Sequence, residues 1–95
     1  MPKLLLIFLL LILASPVFAG QEEARELVRR GEIVPLEQLI RQANQHVPGR
    51  VIEAELERDD GRLVYELELL DEHGQVWEFV FDAHNGKLLK KERED

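Results

Sequence analysis

Downstream of Gly49 the hydropathy pattern changes period, from the 3.6 residues of a helix to the two residues of a strand. "VIEAELERDDGRLVYELELLDEHGQVWEFVFDAHNGKLL" alternates apolar and polar positions through three segments, separated by "DDG", "EHG" and "HNG". Each separator holds a glycine (Gly61, Gly74 or Gly86) able to take the positive φ of a tight turn. Segments this close in sequence can pair only as antiparallel neighbours. The pattern therefore predicts a meander of Arg50–Arg58, Arg62–Asp71 and Gln75–Asp82, with a short fourth strand over Lys87–Lys90.

Alternation also sorts the side chains onto two faces. Ile52, Ala54 and Leu56, then Leu63, Tyr65, Leu67 and Leu69, then Trp77, Phe79 and Phe81 share one face, with Tyr65, Trp77, Phe79 and Phe81 its aromatic core. The opposite face takes Glu53, Glu55, Glu57, Glu66, Glu68, Glu78 and Asp82, with Val64 and Val80 among them. The apolar face needs a cover, and only the segment before Gly49 can supply one. In "EEARELVRRG", Ala24, Leu27 and Val28 stand at helical spacing, with acids first, Arg29 and Arg30 last and Gly31 as a stop. "VPLEQLIRQANQHVPG" carries a longer stripe of Leu36, Leu39, Ile40, Ala43 and Val47, with Pro35 suited to a first helical position and Pro48-Gly49 as the terminator. The expectation is an α+β domain in which an N-terminal helical segment packs on one face of a three- to four-stranded antiparallel meander sheet.

The chain opens with Lys3, an apolar run over Leu4–Leu13, and "ASPVFA", which puts Val17 and Ala19 at the small-residue positions before a cut ahead of Gly20. These are the parts of a cleavable secretory signal. A membrane span needs roughly 20 apolar residues, and Pro16 interrupts this stretch. With no cysteine, neither a lipid-modified N-terminus nor a disulfide is available. The expected location is periplasmic or secreted, without stable membrane insertion after cleavage. Loss of Lys3 leaves 11 basic against 19 acidic residues, a balance of −8 that disfavours nucleic acid and anionic membrane surfaces as partners.

A helix ending in Pro-Gly, then "EAELERDDGRLVYELEL", then "DEHGQVWEFVFDAHNGKLLK" resembles the PepSY domain of peptidase propeptides and YpeB-type proteins. Gly61, Tyr65, Glu66, Gly74, Asp82, Ala83 and Gly86 stand where the family pattern has its turn and strand markers, and "EHG" departs from the more common Asp or Asn before glycine. The resemblance covers 33–92, so the chain divides into a signal peptide (1–19), an N-terminal helical extension (20–32), a PepSY-like domain (33–92) and an acidic tail (93–95). It implies a non-catalytic exported module that contacts another envelope protein, a peptidase or a sensor. It transfers no catalytic residue and no cofactor.

The residues themselves offer little chemistry. There is no Cys or Thr, the one Ser is Ser15, and neither a phosphate-binding glycine loop nor an H-E-x-x-H motif is present. His73 and His84 fall in turns at opposite ends of the third strand, roughly 25 Å apart at about 3.3 Å per residue, too far to share a metal. His46 lies at the same end as His73, near Asp71 and Glu72, but two loosely placed ligands fall short of a transition-metal site. No catalytic, cofactor or metal residue is therefore assigned. A charge run like the glutamate face usually serves to keep a small exported domain soluble; it is also the candidate interaction surface, for a basic partner or, alternatively, for a hard cation in a cation-sensing role. A sheet edge that accepts an extended peptide is a second candidate surface, with Lys87, Lys90 and Lys91 guarding the last strand. "FDAHNG" is expected to be a turn, with Asp82 accepting a backbone N–H and Asn85-Gly86 reversing the chain at positive φ.

Overall fold

The computed structural model describes residues 17–94. In chain order the elements are β1 (Val17–Ala19), α1 (Gln21–Arg29), α2 (Leu36–His46), β2 (Gly49–Asp59), β3 (Arg62–Asp71), β4 (Val76–Asp82) and β5 (Leu88–Glu94). The sheet runs β1-β2-β3-β4-β5. Strands β2 to β5 form the predicted antiparallel meander. β1 adds a short parallel strand at its edge, with Val17 opposite Glu53 and Ala19 opposite Glu55. These three residues belong to the segment assigned above to the export signal, whose residues 1–16 lie outside those described. No helix among the described residues is long and apolar enough to cross a membrane.

Local chemistry explains the elements. α1 has Glu22 and Glu23 in its first turn and Arg29 in its last, the order the helix dipole favours, and it buries Leu27. α2 begins after Pro35, one residue beyond the predicted first helical position, and buries Leu39 and Ala43 completely. Asn44 closes α2 at both ends of its amide: Nδ2 donates to the Ile40 carbonyl at 3.1 Å, and Oδ1 accepts the Gly49 N–H at 2.9 Å. Gly49 is required by a close approach, since a Cβ there would lie 2.4 Å from the Leu70 carbonyl oxygen. The first hairpin turns through Asp60 (φ 52°) and Gly61 (φ 75°), the left-handed pair of a type I′ turn. In the second, Asp71 Oδ1 accepts the N–H groups of His73 and Gln75 at 2.8 and 2.9 Å, and Gly74 takes φ 80°.

The core lies between the helices and the sheet. Phe79, Phe81, Leu39, Leu67 and Leu69 are its largest fully enclosed side chains, and Tyr65 and Ala54 are 2% exposed. Trp77 departs from its expected central place. It is half-buried at the margin, where its indole N–H donates to Asp71 Oδ2 at 2.9 Å and Lys91 Nζ stands 5.3 Å from the ring centroid. Ile52 also departs from simple alternation. Val51 pairs with Leu69 and Glu53 with Glu68, so Ile52 is the extra residue of a β-bulge and Val51 takes the core-side register. β5 extends to Glu94, beyond the predicted end at Lys90, and draws Arg93 and Glu94 out of the expected tail into the sheet.

Candidate functional site

The face of the sheet away from the helices carries the acidic residues, and strand register sets them in transverse rows. In one row Glu53 on β2, Glu68 on β3, Glu78 on β4 and Glu92 on β5 stand directly opposite one another in turn. The next row runs Glu55, Glu66, Val80, Lys90, and the third runs Glu57, Val64, Asp82. All six glutamates expected to share a face therefore do so, and β5 contributes Glu92 and Lys90 besides. These two were legible in principle, because "KKERE" continues the alternation past Lys90 with charge in place of hydropathy.

Like charges directly opposite on neighbouring strands repel, and the face relieves this in two ways. Lys90 Nζ sits 3.0 Å from Glu78 and 3.1 Å from Glu92, which raises the lysine pKa through both hydrogen bonds. Toward the centre of the row, no cation pairs with Glu68 among the described residues. Burial, then the hydrogen bond and charge of Glu94, then Glu53 and Glu78, push its pKa up to about 7. Glu57 is raised as well, by desolvation and by Glu55 beside it. The net charge of this row therefore changes near neutral pH. Arg62 approaches Asp82 at 3.9 Å at the end of the third row.

Between the carboxylates the face has an apolar floor. Val64, on the face away from the described helices, is 4% exposed, and Val80 is half-buried. Leu89, the extra residue of a second bulge where the register shifts between Val80 and Phe81, is 40% exposed, the one large exposed hydrophobic among the described residues. Together with Glu57, Glu66 and Glu78 these residues line an open groove of ≈ 870 Å³. The surface suits a cationic or amphipathic partner. Its lining has no serine, threonine or cysteine.

The other residues singled out in the sequence have structural places. Gly61, Gly74 and Gly86 sit at φ 75°, 80° and 77° in the three turns. In "FDAHNG", Phe81 is fully enclosed, Asp82 Oδ1 accepts the His84 N–H at 2.8 Å, and the Asp82 carbonyl accepts the Gly86 N–H at 2.8 Å. Asn85, expected at positive φ, is not among the residues that adopt it; Gly86 alone supplies it here, and Asn85 Oδ1 instead accepts the Lys87 N–H at 2.9 Å. His84 Nδ1 lies 3.0 Å from the Glu32 carbonyl, and the His46 ring packs 6.1 Å from that of Phe79. Among the described residues no three His, Asp or Glu are gathered as metal ligands. Ala19 and Gly20 form the junction of β1 and α1, with Gly20 at φ 76°.

Comparison with known proteins places this geometry. The family model described as "Peptidase propeptide and YPEB domain" (PepSY) matches residues 33–92. "Uncharacterized protein YkoJ" of Bacillus subtilis (strain 168) is 38% identical over 47 residues, which cover 50% of this chain and 28% of that relative. No solved structure matches the chain.

Proposed function

The chain belongs to the PepSY family of propeptide and regulatory modules, and from that premise we propose that it is a non-catalytic, exported binding module whose acidic sheet face docks another envelope protein, a peptidase or a sensor. The observation that carries the reading is the Glu53–Glu68–Glu78–Glu92 row beside the Val64 and Val80 floor: charge and apolar surface side by side, on the face away from the described helices. Family members are generally non-catalytic and typically exported, and the leader-like residues before Gly20 agree with that habit.

Cross-linked capture from envelope fractions on immobilised Gly20–Asp95 tests it. The expected result is enrichment of a peptidase or sensor protein, lost when Glu66→Gln and Glu68→Gln are combined. Capture that survives the double substitution would remove the acidic face from the reading. The cation-binding alternative meets carboxylates spread in open rows across four strands, not gathered around a point. Calorimetric titration with Ca²⁺, Zn²⁺ and Cu²⁺ separates the two, since the docking reading expects no saturable heat at millimolar metal.

A further inference from the structure

The two edges of the sheet are built differently. β5 is guarded by Lys90, Lys91 and Arg93 and kinked by the bulge at Leu89, the usual devices that keep an edge from recruiting strands. β2, eleven residues long, has β3 on one side and, among the described residues, only the three residues of β1 on the other. Its stretch Glu53–Glu57 has neither lysine nor proline, and the chain itself seats an extended segment there, parallel, with Phe18 at the register of Ala54.

Ala54 is also where the edge meets the helical layer. With Val28, Leu36, Ile40 and Tyr65 it lines a cleft of ≈ 520 Å³ whose lining is mostly apolar but also includes Arg25, Arg29 and Glu37. Strand addition draws its affinity from main-chain hydrogen bonds and its selectivity from pockets beside alternate residues. Both are present at this edge: a ladder that β1 pairs over three residues among those described, and a cleft next to one of those register positions.

We propose that, once cut before Gly20, the chain presents the β2 edge as a strand-acceptor site for an extended peptide, parallel to β2, with a large apolar residue at the Ala54 register. Glu53 and Glu55 occupy the flanking register positions, so neutral or basic residues suit the peptide on either side and acidic ones are repelled. The site shares Glu53 and Glu55 with the acidic face but binds through the main chain of the β2 edge, and it rests on the cut that the export signal predicts.

Two measurements test it. N-terminal sequencing of the protein recovered from outside the cytoplasm is expected to read Gly20, and an N-terminus at or before Val17 overturns the proposal. That protein, labelled with ¹⁵N, is titrated with the blocked hexapeptide Ala-Ser-Pro-Val-Phe-Ala, residues 14–19. Saturable shifts are expected at the amides of Glu53–Glu57 with those of β5 unmoved, and Phe18→Asp in the peptide is expected to weaken binding about tenfold or more. The absence of saturable shifts at millimolar peptide overturns it. So do equal shifts along β5, or shifts of the same β2 amides with protein concentration alone, which would assign the edge to a second copy. Glu66→Gln with Glu68→Gln should leave peptide uptake unchanged, so failure of the docking face and failure of the edge are read separately.

Discussion

The two faces of this sheet share the same backbone and nearly the same alternation, yet they spend their side chains oppositely. On the helix side, Leu67, Leu69, Phe79 and Phe81 are fully enclosed. Each contributes on the order of 1.5–3 kcal/mol through burial. On the open side, four glutamates stand in one row and cost stability by mutual repulsion. One face holds the molecule together; the other is tolerated by it. A chain of this size without cysteine has little stability to spare, so the repulsion on the open face must be offset by the covered one.

Substitutions at matched positions sharpen the contrast. Phe79→Ala, on the covered face, is expected to cost about 3–5 kcal/mol, read from the midpoint of chemical denaturation. A loss under about 1 kcal/mol would mean that the enclosed face is not what holds the fold. Trp77→Ala, at the margin of the same face, should cost less, about 1.5–3 kcal/mol, because the ring is only half-buried. If it matched Phe79→Ala, the core would be centred one register position away.

On the open face the expected effect depends on pH. Glu68 holds its proton to about 7 in the folded chain, against 4.5 for an ordinary glutamate. Between those values the folded state binds more protons than the unfolded one, so the contribution of this group to stability falls as pH rises and is lowest above 7. Glu68→Gln should therefore raise the melting temperature at pH 8 and leave it little changed at pH 4. An equal shift at both pH values would show that the row does not act through charge. Glu66→Gln, with Val80 rather than a carboxylate across the strand on one side, should be the smallest change, within about 0.5 kcal/mol of the parent and if anything stabilising.

The meander, its two faces and the helical cover were legible because alternation and glycine spacing are local signals. The six predicted glutamates share a face for that reason. What escaped the sequence depends on partners far along the chain. The bulge at Ile52 exists only because Val51 meets Leu69 while Glu53 meets Glu68, a matter of register between strands. β5 is wholly charged past Leu89 and pairs through its backbone, so hydropathy could not trace it and only the alternation of charge marked it. Trp77 sits at the margin because Asp71, six residues earlier, holds its indole N–H. β1 joins the sheet by a parallel pairing across more than thirty residues, which no periodicity announces.

The "FDAHNG" turn has a consequence for how the two layers separate. The Ala83 N–H donates to the Leu63 carbonyl at 3.0 Å, while the Ala83 carbonyl accepts the Val34 N–H at 2.9 Å and His84 reaches Glu32. Sheet hairpin and interhelical linker are thus riveted at one corner, and α1 lies beyond that rivet with only Leu27 buried among its residues. Opening should propagate from α1 toward this corner and stop there. The amide of Val34 would then exchange with solvent as slowly as the central strands, while the amides of α1 exchange ahead of them.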